Sequence, residues 1–155
     1  MKRLRPAHLL YLVAILAFGL DRVSKLLASH LLAGRASVRV VPGVLSLTYT
    51  TNTGGAFGLF TRLPWLFAAA TVVVSAVIVA TSRSVSGRLQ AVALGLILGG
   101  AIGNLVDRLA GGWSLSGDVV DFIDFRVWPV FNIADSVIVV GAGLLLVYTV
   151  RRRKA

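Results

Sequence analysis

The stretch Gly103–Gly143 reads GNLVDRLAGGWSLSGDVVDFIDFRVWPVFNIADSVIVVGAG, and it holds five of the six acidic residues of the 155-residue chain. Two of them, Asp121 in VVDF and Asp135 in FNIAD, stand in strongly apolar surroundings. An ionised carboxylate is costly in such a place, so function is the default explanation for each.

Working outward, 57% of the residues are hydrophobic and only 14% are charged, a balance wrong for a soluble globule. The expected fold class is a membrane all-α protein with a small β element, built as one integral domain over residues 1–155. Four apolar runs carry that expectation, at about 8–32, 64–81, 89–106 and 128–150. The first follows Lys2, Arg3 and Arg5 as a secretory signal peptide would, but no small-x-small cleavage site follows, so a retained span is expected. It is interrupted by Asp21, Arg22 and Lys25, with Asp21 and Lys25 spaced i, i+4 for a pair on one helical face. Residues 64–81 are eighteen without a charge. The third run contains Gly95, Gly99 and Gly103, a small-xxx-small ladder that lets another helix approach its backbone.

Between the first two runs, residues 37–50 change character. Pro42-Gly43 signals a turn, and Leu45, Leu47 and Tyr49 alternate with Ser46, Thr48 and Thr50, the period of a short β element outside the hydrocarbon. Asn52-Thr53-Gly54-Gly55-Ala56-Phe57-Gly58 follows, whose glycines permit close approach of another chain.

The net charge of +10 would suggest nucleic acid in a soluble chain, but here the basic residues cluster at the ends of apolar runs. They read as topology signals and contacts to anionic lipid, with no nucleic-acid partner. Lys2, Arg3, Arg5, Arg83, Arg88, Arg151, Arg152, Arg153 and Lys154 fall on one side. Arg35, Arg39, Arg62, Arg108 and Arg126 fall on the other, which predicts both termini in the cytoplasm and Asn52 and Asp121 on the opposite face.

The chain has no cysteine, which excludes disulfides, thiolate metal sites and cysteine nucleophiles. Isolated His8 and His30 make no case for a metal, and no cofactor is expected. Ser114 and Ser116 lack a histidine in any later span, and Lys25 lacks an obvious serine partner, which leaves carboxylate chemistry. Two carboxyl groups close enough to share a proton supply both a base for water and an acid for a scissile carbonyl. Asn104 and Arg108 fall on one face of the third run, and Asn132 and Asp135 on one face of the fourth. A helix starting near Trp128 would put Asp135 about 10 Å along it, within reach of water. Asp107 beside Arg108 reads as a helix-end charge pair, and Asp118 and Asp124 as loop charges flanking Asp121.

Asp21 with Lys25, NTGGAF at residues 52–57, GNLVDR at 103–108, VVDF at 119–122 and FNIADS at 131–136 resemble, in order, the blocks of the lipoprotein signal peptidases, or signal peptidase II. These are aspartic proteases of the bacterial inner membrane. Gly55 departs from the family's alanine. The resemblance implies four transmembrane helices with an extracytoplasmic β cradle, and removal of the signal peptide from diacylglyceryl-modified prolipoproteins before the lipidated cysteine. It implies Asp121 and Asp135 as the catalytic pair, and Asn52, Gly54, Asn104, Arg108 and Asn132 as substrate-binding residues. Asp21 and Lys25 would be a supporting pair, and the protein a monomer in contact with membrane lipid. The competing reading is a small proton- or cation-coupled transporter using intramembrane aspartates. It predicts deep carboxylates and an internal repeat, and no repeat is visible.

Overall fold

The structure is a computed structural model that describes residues 5–52, 64–110 and 117–153. Four helices, α1 (Pro6–Leu32), α2 (Pro64–Thr81), α3 (Arg88–Ala110) and α4 (Ile133–Arg153), carry three strands, β1 (Val38–Val41), β2 (Leu45–Asn52) and β3 (Val119–Asp124). Three of the helices, α2, α3 and α4, are long and apolar enough to cross a membrane.

Helix α1 starts with Pro6 in its first turn, where the missing N–H costs nothing. Its buried residues are Leu10, Ala14, Ala17, Asp21, Lys25, Ala28 and Leu32. Their steps of three or four residues trace one seam along the helix. The glycine ladder of α3 receives that seam. A Cβ on Gly95 would lie 2.5 Å from the Leu10 carbonyl oxygen, and one on Gly99 would strike the Ala14 carbonyl. One on Gly103 would meet the Asp21 carboxylate at 2.5 Å. On its other side α3 meets α4, where a Cβ on Gly100 would sit 2.5 Å from the Ala134 carbonyl oxygen. Helix α3 is therefore the axis, and its small residues let both neighbours come within backbone contact.

Away from these seams the helices present apolar side chains outward. Val72, Val73 and Val77 of α2 and Val139, Val140 and Leu146 of α4 are all exposed. A soluble protein would not show so large an apolar belt, whereas hydrocarbon accepts it.

The β region is larger than the single element over 37–50. Strands β1 and β2 form a hairpin across a turn in which Gly43 has φ +78°, and β3 adds to β2 to give an antiparallel sheet ordered β1-β2-β3. Residues 119–124, read from sequence as a loop, are that third strand. Val119, Asp121 and Phe122 are all buried, so VVDFID lacks the polar-out alternation that identified its neighbour. The chain then turns back on itself: Phe131 exchanges backbone hydrogen bonds with Ile123 at 2.8 and 3.1 Å, and its ring stacks on Phe125.

Two helix ends also differ from the apolar runs. Helix α3 continues past Val106 to Ala110, and α4 begins at Ile133 and not near Trp128. Pro129 disfavours helix at the residue before it, and Asn132 supplies a better start as an N-cap.

The packing predicts opposite outcomes for two glycines of similar sequence context. Gly99→Val should destabilise the protein by about 1–3 kcal/mol or more, because its side chain would strike the Ala14 backbone and the Ala17 methyl of α1, neither of which can move aside by a rotamer change. Gly143→Ala, with nothing within 4 Å of the new Cβ, should be neutral or slightly stabilising. Thermal midpoints in detergent distinguish the two.

Candidate active site

The hairpin return from β3 to Phe131 places Asn132 directly against Asp121. The Asn132 amide donates to Asp121 Oδ1 at 2.6 Å, and its Oδ1 accepts the backbone N–H of Asp135 at 2.9 Å. The Asp135 carboxylate reaches back to the Asn132 N–H at 3.4 Å. Asn132-Ile133-Ala134-Asp135 is thus a reciprocal capping box, in which the cap side chain and the residue three later satisfy each other's orphan donors. FNIAD is a helix start before it is anything else, and that start fixes where the Asp135 carboxyl points.

From the sheet, Asn52 lies opposite Val119 and so shares a face with Asp121, two residues on. Its amide donates to Asp121 Oδ2 at 3.2 Å. Asp121 is only 1% exposed. Burial, and then the negative charge of Asp135, push its carboxyl up to about 7. The amides of Asn52 and Asn132 and the more distant Lys25 favour the ionised form and offset part of that rise.

Helix α3 contributes Asn104, whose amide donates to Asp135 Oδ1 at 2.8 Å and whose oxygen accepts from Lys25 Nζ at 2.9 Å. An ammonium has donors only, so it holds the Asn104 oxygen toward α1 and turns the NH₂ toward Asp135. Lys25 also pairs with Asp21 at 2.9 Å and with Asp107 at 2.7 Å, and Arg22 forms a further ion pair with Asp107. Asp21 Oδ1 in turn accepts the Ala134 N–H at 3.0 Å, on the first turn of α4. Lys25 is 1% exposed and Asp21 fully buried, so each charge is tolerable only because of the others.

The sequence-predicted residues Asp121, Asp135, Asn52, Asn104 and Asn132 are joined in one hydrogen-bonded set, with Asp21 and Lys25 behind it. All except Asn132, Asp21 and Lys25 line a cavity of about 380 Å³, as does Arg108. Arg108 is buried and donates to the Gly117 carbonyl at 3.4 Å, while Asp107, read from sequence as its partner, forms ion pairs with Lys25 and Arg22. Gly54, Ser114 and Ser116 lie outside the described residues. Asp118 is exposed, and Asp124 accepts from Thr48 Oγ1 at 3.3 Å and from the Arg126 N–H at 2.8 Å, away from the cavity. His8 and His30 are both exposed, and among the described residues no His, Cys, Asp or Glu cluster is grouped to hold a metal.

Sequence reasoning missed Asp107 and Arg22. The signal was present, since Asp107 continues the Gly95, Gly99, Gly103 spacing by one more step and so faces α1 like them. It also missed the apolar wall of the cavity, formed by Phe67, Ala68 and Thr71 of α2 and Ile138 and Val139 of α4. No local motif marks those residues, because they are brought to one cavity only by α2 and α4 each packing on α3.

Two solved structures share this architecture. Both are described as bacterial membrane enzymes solved by the in meso method, one at 29% identity with a TM-score of 0.79 over 90% of this chain and 86% of that one. The other is 30% identical with a TM-score of 0.75, covering 89% of this chain and 90% of its own. Fold and site together therefore define a helical membrane enzyme. The profile of the family described as Signal peptidase (SPase) II matches residues 13–151. A lipoprotein signal peptidase of Halothermothrix orenii is 39% identical over 94% of this chain and 98% of its own length. One from Syntrophomonas wolfei is 48% identical over 83% of each. The chain belongs to the signal peptidase II family and is a membrane protease; nothing in these likenesses supports the transporter reading.

The ionic cluster makes its own prediction. Lys25→Met should cost about 3–5 kcal/mol by leaving buried Asp21 without its cation and Asp107 with Arg22 alone. Asp118→Asn, at an exposed position, should stay within about 0.5 kcal/mol of the parent. Thermal unfolding of both variants in the same detergent checks the contrast.

Proposed function

We propose that this protein removes the signal peptide from diacylglyceryl-modified prolipoproteins, cutting before the lipidated cysteine, and that Asp121 and Asp135 are an aspartic catalytic pair. The observation that carries this reading is the placement of two carboxyls on one cavity, tied to each other through Asn132, with Asp121 retaining its proton up to about pH 7. In the proposed mechanism Asp135 takes a proton from water as the oxygen adds to the scissile carbonyl carbon. Asp121 gives its proton to the carbonyl oxygen. As the tetrahedral species collapses, the C–N bond breaks, the leaving amine takes the proton from Asp135 and Asp121 regains its own. The titration belongs to the pair, so the protonated acid and the base appear together only over a limited pH range.

Asn132 and Asn104 act as positioning residues for the two carboxyls. Arg108 on the cavity wall, and Gly54 in the segment after Asn52, are assigned to substrate binding by their motif positions. The apolar wall of Phe67, Ala68, Ile138 and Val139 suits the acyl chains or the apolar signal segment of such a substrate. Anchoring in the bilayer confines the scissile bond to the depth of the site and supplies proximity without diffusion through water.

The membrane arrangement belongs to the same proposal. Exposed Leu12, Ile15, Leu16, Leu20, Leu27 and Leu31 make the outer face of α1 as apolar as that of its neighbours, which supports α1 as a fourth span. Both termini then lie in the cytoplasm of a bacterial inner membrane, with the sheet and cavity at the extracytoplasmic face. One copy of the chain contains the whole proposed site, consistent with a monomer.

Incubating the purified protein with a diacylglyceryl prolipoprotein in lipid should release a signal peptide, resolved by gel shift. Asp121→Asn and Asp135→Asn should each lower the rate by roughly 10²–10⁴-fold, and near-parental cleavage by either would sink the pair. The rate should fall as pH rises through about 7, where Asp121 loses its proton. Asn52→Ala removes a donor that favours the ionised form, so it should move that alkaline limb to higher pH.

A further inference from the structure

The far end of the molecule from the catalytic cavity carries a second cavity, of about 410 Å³, between the start of α3 and the end of α4. Gln90 of α3 and Leu145, Tyr148, Thr149, Arg152 and Arg153 of α4 line it. That end of the bundle is well defined: the Tyr11 hydroxyl near the start of α1 donates to Ser82 Oγ at 2.9 Å, and Gly87 packs against the Tyr148 ring.

Charge is distributed very unevenly between the two ends. The six acidic residues are Asp21, Asp107, Asp118, Asp121, Asp124 and Asp135, and none belongs to the turn between α2 and α3 or to the end of α4. Arg83, Arg88, Arg151, Arg152 and Arg153 are all exposed there. Among the described residues every ion pair draws on Asp21 or Asp107, so none joins these arginines to a carboxylate. Among the described residues no side-chain carboxylate neutralises this end. Simple topology signalling explains exposed arginines, but it does not explain two of them lining a cavity with an amide, a phenol and a hydroxyl.

We propose that this cavity binds the headgroup phosphate of an anionic phospholipid, a site separate from the proteolytic one and independent of the catalytic assignment. Arg152 and Arg153 supply charge, and Gln90 and Tyr148 supply donors for phosphate and glycerol oxygens, whereas the Thr149 hydroxyl donates to the Leu145 carbonyl at 2.9 Å. The positive end of the α3 dipole lies beside them and adds potential of the same sign. Leu145 forms the apolar floor, and exposed Leu146 next to it on α4 gives the acyl chains an apolar path out of the cavity. A free phosphate would use the polar groups but leave that path unused. Basic pockets between membrane helices are a recurring place for such headgroups.

Native mass spectrometry of the full-length protein in detergent, titrated with phosphatidylglycerol or phosphatidylcholine of the same acyl chains, tests the site. One phosphatidylglycerol should be retained at concentrations where phosphatidylcholine is lost. Arg152→Gln and Arg153→Gln should each weaken retention roughly five-fold, and Gln90→Leu, on the other wall, should weaken it too even if α4 frays in the arginine variants. Arg83→Gln, at the same end but outside the cavity, should leave retention unchanged. Equal retention of the two lipids, or an equal loss in Arg83→Gln and Arg152→Gln, would overturn the proposal. Displacement of the lipid by millimolar inorganic phosphate would overturn it as well, by showing a phosphate site with no need of the acyl chains.

Discussion

The Lys25 ammonium, shared among Asp21, Asp107 and the Asn104 amide oxygen, is the interaction on which the site depends. It lies where the α1 seam crosses the glycine face of α3, in surroundings that would not tolerate a lone charge. Three consequences follow from one cation. Helices α1 and α3 are locked in register, the Asn104 amide has one orientation, and Asp21 is held so that its other oxygen caps the Ala134 N–H at the start of α4. The cluster therefore connects two helices, α1 and α3, to the first turn of α4, which carries Asp135.

Glycine makes this cluster possible. A side chain at Gly103 would occupy the space of the Asp21 carboxylate. The same small residues that permit the helices to touch also leave room for a buried ion cluster between them. Packing and electrostatics are thus one design here, since the carboxylates need close contact with their cation and that contact needs the missing Cβ atoms.

The proposed catalytic pair draws its asymmetry from two kinds of local structure. Asp121 is on a strand, buried under the sheet, and accepts from amides on β2 and at the α4 cap. Asp135 is on a helix, half-buried, inside the first turn that the Asn132 cap closes. Identical side chains thus reach one cavity from a strand and from a helix start.

Much of this was legible in the sequence, for physical reasons that apply locally. Apolar runs long enough to cross a bilayer appear as runs, glycines four apart appear as a helix face, and carboxylates among apolar residues appear as exceptions. Asp121, Asp135, Asn52, Asn104 and Asn132 were legible as candidates on that basis together with the family blocks they stand in. What sequence could not supply was the environment of each group. The third strand was hidden because burial on both faces erased its alternation. The role of Asp107 was hidden because its partners, Arg22 and Lys25, lie more than eighty residues away in the chain. The sequence alone determined which residues carry charge into an apolar protein. Only the tertiary structure decided which of those charges neutralise one another and which are left facing a cavity, because that depends on the crossing of helices and strands distant in the chain.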